Sequence, residues 1–255
     1  MKITHIRNAT MLLEVGGHRV LIDPMLGAKG SGDSVPTTSG NNSRNPTVDL
    51  AMPLLELLDV DAVVVTHTHF DHWDAAAASL LPRQVPVLVQ NAADAVLVSS
   101  AGFSDVRALE MPTTLGDTVF TRTGGQHGSD ATLAAWPMLG EVSGVVVRHP
   151  GEPVLYIAGD TVWNEEVRAA LALHEPDVIV LNTGEARLPD GSIILMGAED
   201  VPAVHEAAPQ ARIIAVHMEA LNHCVVTRDQ VRRMALEHGI SEYVLVPEDG
   251  ELLAI

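Results

Sequence analysis

At 255 residues, with 47% apolar and only 3% aromatic side chains, the chain can bury a substantial core built from Ala, Val, Leu and Ile. Its 33 acidic and 15 basic residues give a formal charge of −18; that field repels nucleic-acid phosphates, and no basic stripe with interleaved aromatics offsets it. No apolar run approaches the roughly 20 residues that span a bilayer, and the single cysteine, Cys224, excludes an internal disulfide and reads as a buried structural thiol.

Short strands are predicted over 2–7, 10–15 and 18–23, with Gly16-Gly17 as the hairpin turn between the last two. Residues 27–49 are rich in Gly, Ser, Thr and Asn without an apolar period. A loop this long in a compact domain is usually a lid or a binding loop. Helix 53–58, strand 62–66, helix 73–81, strand 85–90, helix 91–101 and strands near 105–109 and 116–123 follow. The second half reads as strands 131–136, 142–148 and 153–158, helix 163–173, strand 177–182, helix 198–207, strand 212–217, helix 227–238 and strand 242–247. Antiparallel runs mixed with strand–helix alternation predict a mixed α/β fold, a four-layer αββα sandwich whose loops converge on one edge. No linker divides the chain, so 1–255 reads as one domain.

The most informative segment is His67-Thr-His69-Phe-Asp71-His72, directly after the apolar run 61–66. Alternation puts His67, His69 and Asp71 on one side of an extended loop, while His72 turns off with the next helix. Three imidazoles and a carboxylate in six residues suit zinc, manganese or iron better than calcium or a thiolate-loving metal. Three more donors follow apolar runs or sit beside glycine. They are His127 in Thr-Gly-Gly-Gln-His-Gly, Asp160 in Ala-Gly-Asp-Thr, and His217 at the end of Ile-Ile-Ala-Val-His. The carboxyl end of a strand is where open sheets place their chemistry.

In this order, His67/His69/Asp71/His72, His127, Asp160 and His217 resemble the metal ligands of the metallo-β-lactamase-fold hydrolase superfamily, and the resemblance covers nearly the whole chain. Within it, the chain's length and the Ala-Gly-Asp-Thr and Val-His-Met-Glu segments look most similar to the bacterial branch that includes ascorbate-phosphate lactonase. The resemblance implies two divalent ions, zinc first and manganese or iron as alternatives. His67, His69 and His127 are assigned to one ion, Asp71, His72 and His217 to the other, and Asp160 bridges them. Such a pair makes hydroxide available near neutral pH.

Asp71 is also a candidate catalytic residue, placed to orient water or shuttle a proton. His223 is a second candidate, as substrate contact or proton donor, against an outer supporting or capping role. Glu219 could support His217 from outside, and Asp23 a histidine of the metal loop. For Asp160 the competing role is an N-cap of helix 163–173. His5, His18, His149, His174, His205 and His238 lack partners in the sequence pattern and read as surface or satisfied core. No phosphate-binding or dinucleotide glycine motif and no Gly-x-Ser-x-Gly elbow is present.

The leading expectation is a metal-dependent hydrolase acting on a small polar ester, lactone or phosphoester. The alternatives are an iron-dependent oxygenase or oxidoreductase on the same scaffold and a metal-stabilised binding protein without turnover. Arg44, Arg122, Arg148 and Arg187 are the candidate contacts for an anionic substrate, and segments 27–49, 129–140 and 183–197 the candidate rim. The Met1–Arg7 opening has no long apolar stretch. The expected setting is therefore the cytoplasm, with a small-molecule substrate, no nucleic-acid or membrane partner, and self-association left open.

Overall fold

In the computed structural model, which describes residues 1–255, the chain opens with three antiparallel strands, β1 (Lys2–Arg7), β2 (Thr10–Val15) and β3 (His18–Ile22). Crossovers then take over. Helices α1 (Leu54–Leu58), α2 (Ala75–Leu80) and α3 (Ala92–Ser100) lead to β4 (Ala62–Val65), β5 (Val87–Val89) and β6 (Val106–Ala108), and β3 to β6 pair in parallel. β4 reads Ala-Val-Val-Val and is buried throughout, as expected of a strand covered on both faces. The helices start where short polar side chains replace a missing partner: Asp74 accepts from Ala77 N and Asn91 from Asp94 N.

The second half begins with a hairpin, β7 (Thr113–Leu115) and β8 (Thr118–Thr123), followed by α4 (Asp130–Ala135), β9 (Gly144–Arg148) and β10 (Leu155–Ile157). Next come α5 (Glu165–His174), β11 (Val178–Asn182), α6 (Val201–Ala207), β12 (Arg212–Val216), α7 (Arg228–Glu237), β13 (Val244–Leu245) and β14 (Leu252–Ala254). Two seven-stranded sheets result, ordered β14-β1-β2-β3-β4-β5-β6 and β13-β12-β11-β10-β9-β8-β7.

One apolar cluster lies between the sheets, joining Met11, Leu13, Val20 and Ile22 to Phe120, Val145, Ile157 and Ile214. A second joins α2 and α3 to the outer face of the first sheet through Ala77, Val98, Val63 and Val65. A third joins α5, α6 and α7 to the second sheet through Val167, Val204, Val231, Ile179 and Ile213. Each fully buried Val, Leu or Ile contributes about 1.5–3 kcal/mol, so the three clusters dominate the stability of the αββα stack. No helix is long and apolar enough to cross a membrane.

Several predicted elements are corrected. Residues 131–136 form a helix, not a strand: Ser129 caps its start by accepting from Thr132 N, and Asp130 lies in its first turn. A short Ala-rich apolar run carries no period that separates the two. The predicted strand 116–123 is observed as β8 from Thr118, and it forms a hairpin with the unanticipated β7 through a turn at Gly116-Asp117. β14 was not anticipated, because three residues at an edge give too little pattern to read. Segment 27–49 has no helix or strand, as predicted.

Pairing direction positions the site. In the first sheet β1, β3, β4 and β5 run the same way, because β2 is antiparallel to both its neighbours and β3, β4 and β5 pair in parallel. In the second sheet β8, β10, β11 and β12 share a direction for the same reason. The residues that leave these carboxyl ends are Asn8, Asp23, Thr66-His67, Gln90, His127, Asp160, Asn182 and His217. They supply four of the seven candidate donors, His67, His127, Asp160 and His217, and three residues that contact donors, Asn8, Asp23 and Asn182.

Candidate metal centre

The structure brings all seven sequence-predicted donors together at that edge, in two groups whose donor atoms lie within 4.8 Å of one another: His67, His69 and His127, and Asp71, His72, Asp160 and His217. In the first, His67 Nε2 is 3.0 Å from His69 Nδ1, and the His69 and His127 rings are 5.2 Å apart. In the second, His217 Nε2 lies 3.2 Å from Asp71 Oδ2 and 3.4 Å from Asp160 Oδ1, with His72 Nε2 at 3.6 and 3.3 Å from the same two oxygens. Asp160 reaches across: its Oδ1 faces His72 and His217, and its Oδ2 is 3.9 Å from His127 Nε2. It does not cap α5, since Asn164 fills that role. Gly159 precedes it at φ +69°, and a Cβ there would meet Ser143 O at 2.4 Å, so only glycine delivers Asp160 to this position.

The outer contacts were less legible. Asp23 takes the supporting role considered for it: His72 Nδ1 donates to its Oδ2 at 2.9 Å, while Thr66 N and Oγ1 also donate to its carboxylate. His127 Nδ1 donates to Ile194 O at 2.7 Å, which leaves Nε2 facing Asp160. Glu219 does not support His217; it pairs with Arg228 instead. The neighbour of His217 Nδ1 is Cys224 Sγ at 3.6 Å, so the lone thiol touches the site rather than merely filling core.

Sequence reading missed Asn8 and Asn182. Asn8 Nδ2 lies 3.4 Å from Asp71 Oδ2 and 3.3 Å from His217 Nε2, and Asn182 Nδ2 donates to Asp160 Oδ1 at 2.6 Å. A polar amide closing the apolar run Val-Ile-Val-Leu-Asn was the available signal. Asn8, Asp23 and His217 all adopt positive φ (53°, 44° and 67°), a conformation rare for side-chain-bearing residues and concentrated here at strand ends that deliver functional groups. His5 is satisfied core, its Nε2 3.1 Å from Asn8 O. His223 is buried at 6% exposure, and its Nδ1 has no hydrogen-bond partner.

The two groups differ in charge. Burial, reinforced by the neighbouring His72 and His69, holds His67 well below the ordinary imidazole pKa, and burial pushes His127 down to about 4 despite nearby Asp160. For His72 burial acts the same way, but the carboxylates of Asp160, Asp23 and Asp71 outweigh it and raise the pKa to about 10. His217 is likewise raised against burial, by Asp160 and Asp71. Burial thus favours the neutral, nitrogen-donor form of His67 and His127. The second group concentrates three carboxylates, Asp23 included, around two imidazoles.

This arrangement fits divalent cations. The fully buried His72 Nε2 has no hydrogen-bond partner although two carboxylate oxygens lie nearby, so its position suits a cation shared with them. Imidazole and carboxylate donors are the ligand types of zinc, manganese and iron.

Two of the three expected rim segments reach the donors: residues 138–140 line the cleft beside His67 and His69, and Ile194 meets His127. Segments 129–140 and 183–197 pack against each other through Leu139, Leu188, Ile194 and Leu195, with Trp136 Nε1 donating to Asp190. Segment 27–49 is clasped by the buried Asn222, whose carboxamide bonds Val35, Asn41 and Asn45. A cleft of about 310 Å³ borders His67 and His69, with Gln90, Asn91 and Asp94 on its walls beside Met138, Leu139 and Glu141.

Comparison with known proteins agrees with this geometry. A family model described as β-lactamase superfamily domain matches residues 18–218. The UPF0173 protein YddR of Bacillus subtilis is 43% identical over 252 residues, covering 98% of each chain. The crystal structure of isothiocyanate hydrolase from Delia radicum gut bacteria superposes with a TM-score of 0.96 at 42% identity, covering 100% of this chain and 99% of that one. That of a possible metal-dependent hydrolase from Veillonella parvula gives 0.94 at 40% identity, with 100% and 99% coverage. These likenesses support the superfamily and do not single out the ascorbate-phosphate lactonase branch.

Proposed function

The chain belongs to the β-lactamase superfamily domain family and is a metal-dependent hydrolase of its UPF0173 group; from that premise we propose that it adds water to a small uncharged electrophile carrying an apolar substituent, with the carbon of an isothiocyanate the first candidate and an ester or lactone carbonyl the second. The observation that carries this reading is that three of the four arginines considered for an anionic substrate are neutralised by carboxylates. Arg44 pairs with Asp33 at 3.0 Å, Arg122 with Glu141, and Arg187 with Glu185, while Arg148 donates to His174 O. A phosphoester would meet few uncompensated cations in a strongly acidic protein, so it is the least favoured substrate. Phe70, Met138 and Ile193, exposed side chains of the metal loop and two rim segments, instead offer apolar contacts. The 42%-identical isothiocyanate hydrolase supplies the chemical class.

In this reading His67, His69 and His127 would hold one ion, and Asp71, His72 and His217 a second, with Asp160 standing between the two groups. Zinc is the first choice, manganese or iron the alternatives. When bound, such ions lower the pKa of a water ligand and polarise the electrophile. The protein's own groups do the rest. Asp23, Ile194 O and Asn182 fix the orientation of His72, His127 and Asp160, so the donors need no rearrangement. Asp71 orients the attacking water and takes up its proton at the carboxylate. His223, buried with an unpartnered Nδ1, passes a proton to the atom that gains one as the bond to the carbon is made.

The test is a panel of aryl and alkyl isothiocyanates, lactones, carboxylic esters, thioesters and phosphodiesters assayed with the metal-loaded protein and after chelation. The expected order places isothiocyanates and then esters far above phosphodiesters, with all turnover lost on metal removal. Phosphodiesters as the best substrates would overturn the reading, as would turnover that survives a metal-free chain.

A further inference from the structure

Asn8 joins the two sheets at the edge that carries the site. It leaves the carboxyl end of β1 in the first sheet and is fully buried. Its carbonyl accepts from the backbone N–H of His217, the residue that leaves β12 in the second sheet, at 3.0 Å. Its side chain reaches Asp71: Nδ2 donates to Asp71 O at 3.2 Å and to Asp71 Oδ2 at 3.4 Å. Both partners are acceptors, so the N–H end of the carboxamide must face Asp71. The positive φ of 53° at this position is one that Asn tolerates better than most residues. In the second donor group each of the other three members has a contact outside the group: His72 with Asp23, Asp160 with Asn182 and His217 with Cys224. For the carboxylate of Asp71 that contact is Asn8. Asn8 and His217 Nε2 both engage Oδ2, which also lies 3.6 Å from His72 Nε2. These contacts leave Oδ1 as the free oxygen of a side chain that stays 7% exposed.

We propose that Asn8 is a positioning residue for the reaction: its side-chain N–H holds the Asp71 carboxylate in one orientation, with Oδ2 turned to the ion of the second group and Oδ1 turned to the attacking water. The inference rests on the two-ion reading above and on the water-orienting role given there to Asp71, and it adds the residue that keeps the tasks of the two oxygens apart. The terminal torsion of an aspartate is broad and roughly two-fold, so without a fixed donor the two oxygens exchange places readily. An ionised carboxylate oxygen has two lone pairs. One on Oδ2 takes the N–H of Asn8, and the other stays available to a cation. The same residue fixes the backbone of His217, so Asn8 sets the spacing of Asp71 and His217, whose Oδ2 and Nε2 lie 3.2 Å apart. Hydrogen bonds to a ligating group from outside orient it toward the metal and hold it there.

Asn8→Gly deletes the carboxamide, keeps the main-chain bond to His217 and accepts the positive φ without strain. Asn8→Ala deletes the same group and adds backbone strain, so an effect shared by both variants belongs to the side chain. Cobalt(II) titration followed by native mass spectrometry counts the ions and their affinities, and visible absorption reads the geometry of each cobalt site. Asn8→Gly is expected to weaken the second ion by about 10–100-fold and to leave the first within about twofold. The absorption bands of the second site should shift while those of the first stay. At saturating zinc, kcat should fall by about 100-fold with KM within about twofold, because a misplaced carboxylate orients the water poorly without touching substrate binding. Equal weakening of both ions, or loss of the folded circular-dichroism signal in both variants, overturns the proposal and makes Asn8 a support of the whole edge. So do affinities and spectra equal to wild type. A weaker second ion with kcat unchanged at saturating metal keeps the hold on Oδ2 and overturns the water role of Asp71 alone. Wild type that takes a single ion overturns the two-ion reading. The proposal then holds if Asn8→Gly binds that ion about 10–100-fold less tightly, and fails if it binds it equally well, so the failures are distinguishable.

Discussion

His72 Nδ1 donates to the carboxylate of Asp23 over 2.9 Å, and this contact decides that the other ring nitrogen, Nε2, faces Asp71 and Asp160. Asp23 is itself held by two bonds from Thr66, the residue before His67, so one carboxylate ties the end of β3 to the start of the metal loop. Removing it frees the imidazole to rotate and to take the other tautomer. Asp23→Ala is therefore expected to weaken metal binding at the His72 group by about 10–100-fold while the His67/His69/His127 group keeps its affinity. Metal titration followed by native mass spectrometry reads both sites separately. Equal weakening of the two would mean that Asp23 supports the edge as a whole rather than His72.

Asp160 separates the two groups in a different way. Its Oδ1 lies 3.3 and 3.4 Å from His72 and His217, but its Oδ2 is 3.9 Å from His127. Asp160→Ala should leave three imidazoles for the first ion and only Asp71, His72 and His217 for the second. One tight and one weak ion are expected, with turnover reduced by several orders of magnitude, as for any disrupted metal pair. His67→Ala gives the complementary result, a first site lost and a fold kept. Two tight ions and near-normal activity in Asp160→Ala would reduce Asp160 to a turn residue.

What the sequence made legible follows from how local each signal was. The donors of the metal loop lie within six residues, and His127, Asp160 and His217 each follow an apolar run or stand beside glycine, so spacing and strand ends were enough. The buried strands 62–66 and 212–217 were readable because continuous Val and Ile runs leave little choice of structure. The supporting contacts were less legible, because most are made by residues far apart in the chain: Asp160 with Asn182 and His217 with Asn8 escaped the reading, and Asp23 was offered for the metal loop without its partner, His72, being named. Glu219 sits two residues from His217 and was assigned by that closeness. Its side chain instead meets Arg228 at the start of α7.

Asn222 predicts a link between the rim and the site. Its side chain, fully buried, accepts from Val35 N at 2.9 Å and Asn45 Nδ2 at 2.8 Å, and donates to Val35 O and Asn41 O. It also precedes His223. Asn222→Ala removes four bonds, leaving the buried Asn45 amide and part-buried backbone groups of Val35 and Asn41 without their partner, a loss of about 1–3 kcal/mol. The same change should raise KM more than it lowers kcat, because the segment is released while the metal donors stay in place. Denaturant unfolding and steady-state kinetics on one preparation check both parts. A kcat loss with KM unchanged would place Asn222 in the chemistry through His223 and not in the rim.

His5 supplies a pH dependence distinct from the metal donors. It is 1% exposed, its Nε2 lies 3.1 Å from Asn8 O and its Nδ1 3.4 Å from Glu248 O, with Asp249 and Arg228 as its charged neighbours. Burial pushes its pKa below 6.5, and the raising effects of the Asn8 carbonyl and Asp249 only partly offset that. The folded chain therefore holds His5 neutral over a range where the unfolded chain binds a proton. The unfolded state binds more protons below 6.5, so His5 makes stability fall as pH drops from 6.5 toward the lower folded pKa, and contributes no slope above it. In His5→Gln the amide keeps a donor and an acceptor but cannot titrate. Urea unfolding at about pH 8 and about pH 5, on metal-free wild type and variant alike, isolates the effect as a difference of differences. The variant is expected to lose less stability between the two than wild type does. An identical loss in both would mean that His5 stays neutral in the unfolded chain as well, or is protonated in both states, and the burial argument at this position would fail.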